Sequence, residues 1–372
     1  AKRSGRRMAR LRDRLFAGMA QRGITGDVAE EIAGKLAAFA SFGFPESHAV
    51  SFAHIVYSSA WLKLHYPAAL CAALLNAQPM GFWSPQSLVA DARRHGLVVH
   101  RPHVDRSEAD ARLDWGVAGP AGGPVGAPDR QPEIRLGIGS VRSVGRELAA
   151  AIAAARPYAS MEDLVRRGGV GRVQLEALAT AGALEGLAPR SETPGAAPDT
   201  RRRALWAAGP LALATPDRLP GLVTGEDAPA LPDMTALEEL SADVWATGLT
   251  VGAGAVELAR PRLDALGVVP AGRLLGAETD GRVLVGGVVT HRQHPESAKG
   301  TVFLNLEDET GMVNVICSPG AWRRWRQNAR HAPALLVRGR LERTDGVVSV
   351  VAEKISPLDL GPTPLPPSRD FR

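Results

Sequence analysis

Arg142 and Arg146 bracket a turn that ends in glycine. The run is "GIGSVRSVG", residues 137–145, and the helix-forming stretch "RELAAAIAAAR" follows directly. A glycine turn ahead of a helix leaves backbone N–H groups without partners of their own, and such a turn can hold one phosphate. Two flanking guanidiniums would strengthen that grip. The spacing does not fit a dinucleotide fingerprint: five residues separate Gly139 from Gly145, and no long βαβ unit surrounds them. A plain turn is the alternative. A second unit of the same kind, "GRVQLEALATAGALEGL", begins at Gly171, and two in tandem favour contact with a nucleic-acid backbone. The residues assigned to that contact are Arg142, Ser143, Val144, Gly145 and Arg146.

Towards the C-terminus Phe303, Trp322 and Trp325 stand among Arg292, Lys299, Arg323, Arg324, Arg326 and Arg338. A groove for a single strand needs charge for phosphate and ring faces for bases. Arg292, Lys299, Phe303 and Arg338 are the candidate contacts. The two tryptophans of "WRRW" suit a helix–barrel contact equally well. "LEDETG", 306–311, puts Glu307, Asp308 and Glu309 in one hairpin, either as a metal site or, more simply, as solvated turn acids.

Ser47-His48 is not a nucleophile–base pair, because neighbours on a helix point about 100° apart. His48 can cap, pack, or touch a phosphate or base. The sequence contains no paired carboxylates, His/Cys metal cluster, P-loop or nucleophile elbow. No catalytic residue, metal or bound cofactor is therefore expected in this chain.

The elements that position these residues fall into several blocks. At 372 residues, two or three domains are expected. The net charge of +5 is weak evidence for a polyanionic partner, and its distribution says more. Residues 1–14 hold seven Lys/Arg against one Asp, and "RRR" at 201–203 and "RRWR" at 323–326 repeat the theme. Cys71 and Cys317 are far apart and in no metal-ligand spacing, which suits two reduced thiols in a cytoplasmic protein. The longest apolar stretch, near 67–75, is too short to span a bilayer.

Periodicity predicts helices over residues 5–40, with Gly23 as a stop and Asp27 as a cap. Pro45 and Pro67 start further helices, the first lined on one face by Ala49, Phe52, Ala53, Val56 and Ala60. Ser84 caps a helix to about His95, and "LVVH" at 97–100 reads as a strand. A Gly/Pro-rich linker covers 116–133, and a short strand then precedes helices near 144–155, 160–167 and 171–181. A Pro-rich linker, 188–233, carries one short helix around Arg203–Ala208, and helices near 235–246 and 256–266 follow. Residues 282–356 hold five β-rich runs with turns at Thr310-Gly311 and Asp345-Gly346, and a helix, 319–329, between the third and fourth. That order is the order of an OB-fold barrel. The last fourteen residues read as a tail.

Several stretches together resemble one family. "FPESHA" at 44–49 and "NAQPMGFWSP" at 76–85 are similar to the fingers region of bacterial C-family DNA polymerases, in the error-prone branch. "IRLGIGSVRSVG" followed by "VQLEALATAGAL" resembles that family's tandem helix-hairpin-helix, and "VVTHRQHPESAKGTVFLNLEDETGMVNVI" its OB domain. The closing "SRDFR" resembles its C-terminus. The resemblance implies a multidomain α+β chain: a mainly α-helical fingers segment (1–115), a tandem helix-hairpin-helix (134–187), connecting helices (234–281), an OB-fold β-barrel (282–358) and a tail (359–372).

The resemblance also implies a role in error-prone synthesis during DNA repair and lesion bypass. Ser47 and His48 would lie near the nucleotide-binding side of the fingers, with the residues after them packing the fingers core. Primer-template and single-stranded DNA would be the ligands. A mutagenesis accessory protein of the Y-family-like type would be a partner, with the sliding clamp as another possibility, although no clamp-binding pentapeptide stands between 188 and 280. The palm, with its Mg²⁺-binding aspartates, the PHP domain and the thumb lie upstream of this segment in the family. The chain alone is therefore expected to bind DNA without synthesising it, and a stand-alone DNA-binding or adaptor protein is the alternative. One departure touches the site: the hairpin usually reads Gly-Val-Gly, and here Ser143 takes the first place.

Overall fold

The computed structural model describes residues 5–41, 46–115, 131–188, 200–215, 217–221, 223–344, 346–363, 365 and 368–371. The chain divides into two compact units, Ala1–Leu64 and His65–Arg372. In the first, α1 (Gly5–Ala20) stops ahead of Gly23, which takes a left-handed φ of 76°. α2 (Asp27–Ser41) opens with Asp27 and Glu30 in its first turn, where acids suit the helix dipole. Arg12 of α1 reaches Glu30 at 3.2 Å.

α3 (Glu46–His65) mixes polar and apolar residues around its circumference and so has no single core-facing stripe. The face expected to pack a core lies exposed, with Phe52 at 48% and Val56 at 62%.

The second unit begins with α4 (Pro67–Asn76) and α5 (Pro85–Arg94), each with proline in its first turn. Ser84 caps α5, its Oγ accepting the Ser87 N–H at 3.1 Å. β1 (Val99–His100), β2 (Arg112–Asp114) and β3 (Glu133–Arg135) make a small sheet in the order β1-β3-β2. β2 carries no periodic signal of its own at three residues.

α6 (Gly145–Ala155), α7 (Met161–Gly168), α8 (Arg172–Thr180) and α9 (Thr200–Leu211) share one core, in which Ile152, Leu164 and Leu175 meet Ala204, Ala207, Ala208 and Leu211. The short helix expected inside a linker is thus longer, and its alanine face is packed. α10 (Ala236–Thr247) starts with a capping box between Thr235 and Glu238. Its buried Asp243 accepts from Arg201 at 2.8 Å, from Arg101 at 3.3 Å and from the Thr250 hydroxyl at 2.8 Å. Arg201 of the "RRR" run therefore acts inside the fold. The helix expected near 256–266 is two, α11 (Ala255–Leu258) and α12 (Arg260–Ala265), the second with Pro261 in its first turn.

The barrel follows: β4 (Arg282–Gln293), β5 (Val302–Glu307), β6 (Met312–Cys317), α13 (Pro319–His331), β7 (Ala334–Thr344) and β8 (Val347–Pro357). The strand order β5-β6-β8-β7-β4 closes through β4–β5, with β6 and β8 parallel and the other pairs antiparallel. This is an OB fold. Asp345 of the expected second turn lies outside the described residues.

The expected tail contributes a further strand, β9 (Arg369–Phe371), parallel to β4. Phe371 stacks on Phe82 with ring centroids 5.4 Å apart, and Phe82 stacks on His291 at 4.2 Å. His291 Nε2 donates to the Phe82 carbonyl at 2.6 Å, and Arg369 donates to the Gly81 carbonyl at 2.8 Å. Arg94 of α5 meets Glu307 of β5 at 2.9 Å, and Ser87 donates to the same carboxylate at 2.8 Å. The barrel is held to α5 and the segment before it by this stack and this ion pair.

Candidate nucleic-acid interface

The first hairpin is fixed from behind by backbone. Ile138 and Gly139 donate to the Glu108 and Ala109 carbonyls, each at 2.9 Å, and Arg142 donates its N–H to the Ala246 carbonyl at 2.7 Å. Val144 is buried in the core and anchors the turn. Around it Ser143 and Gly145 take left-handed φ values of 64° and 65°. Ser143, Gly145 and Arg146 then lie on the surface at the start of α6, where unpaired N–H groups and the helix dipole favour an anion. The Arg146 guanidinium reaches Asp110 at 2.8 Å, and the Arg142 guanidinium lies over the Trp245 ring at 5.1 Å. Of the five residues expected here, Arg142, Ser143, Gly145 and Arg146 are exposed, whereas Val144 is turned into the core and donates its N–H to the Val141 carbonyl at 3.1 Å.

A second hairpin repeats the pattern, and the unit expected from Gly171 begins two residues earlier. It reads Gly169-Val170-Gly171 and precedes Arg172, the first residue of α8. Gly169 has φ 66° and Val170 is buried in the same core. Arg172 bonds Glu176 one turn along its own helix at 2.8 Å. The signal was available: Gly-Val-Gly-Arg at the head of a helix mirrors Ser-Val-Gly-Arg at 143–146.

The barrel divides its candidates. Phe303 pairs across the strands with Ile316, Ile316 with Val351, and Val351 with Arg340. These form one outward row, half-buried except for the exposed Arg340. The neighbouring row is polar: Asn305, Asn314 and Ser349. Arg340 was not foreseen, because only register places it at the end of this row, two strands beyond Ile316. It is held by Asp280 at 2.6 Å and by Glu342, and its hydrogen bond to Asp280 raises its pKa further. Lys299 is exposed in the β4–β5 connection.

Arg338 is exposed opposite Leu284, while Phe303 lies opposite Gln293. Those two β4 positions are separated along the strand by the bulge at Val289–His291, and no strand pairing joins Arg338 to Phe303 directly.

Arg292 departs from its expected place. A bulge between Val289 and His291 shifts the alternation of β4 and turns Arg292 inward, leaving it 8% exposed. Its guanidinium donates to the carbonyls of Ala329 at 2.8 Å and Ala332 at 2.6 Å, capping the end of α13. Burial pulls its pKa down, opposed by Asp370. It is a structural cap rather than a surface cation.

Trp322 and Trp325 pack on the barrel core, and Trp325 Nε1 donates to the Glu353 carbonyl at 3.0 Å, which settles the "WRRW" alternatives towards the helix–barrel contact. The "LEDETG" acids are not solvated. Glu307 holds Arg94 and Ser87. Asp308 accepts the Thr310 and Gly311 N–H groups at 2.8 and 2.9 Å, and Arg260 reaches Glu309 at 2.6 Å. Among the described residues no group of three or more His, Cys, Asp or Glu side chains could hold a metal ion.

Ser47 and His48 are exposed in the first turn of α3, with His48 edge-on to Phe52 at 4.6 Å. The two cysteines are buried, and desolvation pushes the Cys71 thiol to about 11 and the Cys317 thiol to about 12. Both are inert thiols rather than nucleophiles.

Comparison with known proteins fits this geometry. A helix-hairpin-helix motif family matches residues 96–193, which include both hairpins, and an OB-fold nucleic acid binding domain family matches residues 283–358. An error-prone DNA polymerase of Nocardia farcinica is 55% identical over the whole of this chain, and one of Mycobacterium bovis is 51% identical. Along its whole length this chain is homologous to error-prone DNA polymerases. It spans about a third of them: 31% of the Nocardia protein and 32% of the Mycobacterium protein. A solved asparaginyl-tRNA synthetase from Pyrococcus horikoshii is 19% identical over 21% of this chain and 20% of its own, with a TM-score of 0.19, too low to speak to the fold. No helix among the described residues is long and apolar enough to cross a membrane.

Proposed function

We propose that this chain is the DNA-holding part of an error-prone DNA polymerase. Its paired hairpins would grip the backbone of duplex DNA, and its barrel would take the unpaired template strand. The observation that carries the reading is the repeated turn: a buried valine, a left-handed residue before it and a surface arginine after it, at 143–146 and again at 169–172. Such turns bind phosphate without reading sequence, as a polymerase requires of its duplex grip. On the barrel, Phe303 offers a ring for stacking, and Asn305, Asn314 and Ser349 offer neutral hydrogen-bonding groups beside it. Arg338 on β7 and Lys299 in the loop would add charge for the strand's phosphates.

In the complete polymerase the same parts would serve template-directed nucleotide addition past lesions. The Mg²⁺ ions of that reaction would be held by carboxylates outside this chain, in the palm. Ser47 and His48 would face the nucleotide-binding side. A mutagenesis accessory protein would be recruited, with the sliding clamp as a second partner, and the work would be done in the cytoplasm.

The test is binding of a labelled primer-template with a single-stranded overhang, titrated across salt. Affinity should fall with a log-log slope of about −0.9 for each duplex phosphate neutralised. Labelled nucleotide should not be incorporated by this chain alone. Absence of binding at low salt would overturn the reading, and incorporation would overturn the division of labour.

A further inference from the structure

Trp245 stands beside the first hairpin, and phosphate binding by the turn does not use it. Its helix buries Leu240, Asp243 and Ala246, yet the indole of Trp245 is 45% exposed. The backbone bond from Arg142 to Ala246, at 2.7 Å, fixes this end of α10 against the turn. The guanidinium of Arg142 lies over the ring at 5.1 Å.

We propose that Trp245 and Arg142 form a subsite for an unpaired nucleobase, next to the phosphate held by the first hairpin. The inference rests on the DNA-binding reading above. The turn supplies N–H groups and Arg146 for a phosphate, and the exposed indole is joined to the same turn through Arg142. A base that leaves the duplex can lay its face on the exposed indole, and Arg142 adds a cation to both the ring and the strand. Bases inside a duplex are already stacked and cannot reach the ring. The subsite therefore selects a position where the strand is unpaired, immediately beside the gripped duplex. At the second hairpin Arg172 turns instead to Glu176 on its own helix, at 2.8 Å.

The experiment uses the full chain and two labelled DNAs. One is a blunt duplex; the other is the same duplex with a short overhang carrying 2-aminopurine at its first unpaired position. The wild-type chain should quench the 2-aminopurine and prefer the overhang DNA. Trp245→Ala should abolish the quenching and weaken overhang binding roughly tenfold, the loss of one base–aromatic stack, while blunt-duplex binding stays unchanged. Trp245→Phe should retain most of the preference. If Trp245→Ala quenches and binds like wild type, the subsite is overturned while the DNA-binding reading stands. Equal loss on both DNAs, in the alanine and phenylalanine variants alike, assigns the tryptophan to the fold and overturns the subsite too. Failure of the wild-type chain to bind either DNA overturns both.

Discussion

The two hairpins do the same structural job with different parts. Each buries a valine, Val144 or Val170, in one shared core, and each puts an arginine at the head of the next helix. They diverge at the left-handed position and at the helix entry. Ser143 adopts φ 64° where the second hairpin has Gly169 at 66°, and Gly145 is left-handed at 65° where Gly171 sits at −83°. Their arginines also diverge: Arg146 reaches across to Asp110, and Arg172 bonds within α8. The valine and the turn thus define the unit, while the side chain at the left-handed position can vary at a cost of about 1–2 kcal/mol.

The largest effect that could break this likeness is burial of a charge in its place of closest agreement. Val144→Asp and Val170→Asp should each destabilise the chain by about 4 kcal/mol or more, measured by denaturant unfolding, because each leaves an unpaired carboxylate in the shared core. A large loss at one position and little at the other would show that the hairpins do not share a core.

Next in size are the arginines. Arg146→Ala and Arg172→Ala should each flatten the salt dependence of primer-template binding by about 0.9 in log-log slope. Asp110→Asn should tighten binding by releasing Arg146 from its carboxylate. An unchanged slope in Arg172→Ala alone would leave the duplex grip to the first hairpin.

The hairpins also mark what a sequence discloses. The first was legible because glycines and arginines crowd one short run ahead of an alanine-rich helix. The second was legible as a unit of the same kind from Gly171, whereas Gly169 and Val170, which complete its turn, lie ahead of that run. Trp245 was not legible at all: it lies a hundred residues from Arg142, roughly, and only the packing of α10 joins them. In the barrel the strand order followed from five apolar runs and a helix after the third. The row of Phe303, Ile316, Val351 and Arg340 is made by register across four strands, which no local pattern encodes. Arg292 shows the limit most sharply, since a single bulged residue in β4 exchanges surface for interior. Phe371 looked like part of a tail because three residues carry no periodicity, while its stack on Phe82 and His291 is a contact across almost the whole second unit.

A smaller change should make the two turns more alike. Ser143→Gly should stabilise the chain by about 1 kcal/mol by relieving the left-handed serine, and Gly169→Ser should cost a similar amount. Both are measured as shifts in unfolding midpoint. A destabilised Ser143→Gly would mean that the serine side chain contributes something the turn geometry does not require.

The smallest effect concerns the joint between the hairpins. His103 Nδ1 accepts the Asp105 N–H at 3.1 Å, and the Asp105 carboxylate accepts the Tyr158 N–H at 3.0 Å in the link from α6 to α7. Burial lowers the His103 pKa, with Arg106 adding to the shift. The unfolded chain then binds a proton more readily than the folded one. The stability held by neutral His103 is fully present above the ordinary imidazole value of about 6.5 and declines as pH falls through it. His103→Asn should remove that part of the acid sensitivity while leaving stability at pH 8, roughly, little changed, because an amide oxygen can accept the same N–H at any pH. If the variant loses stability in acid as steeply as the wild type, the proton goes elsewhere and the joint is not what acid loosens.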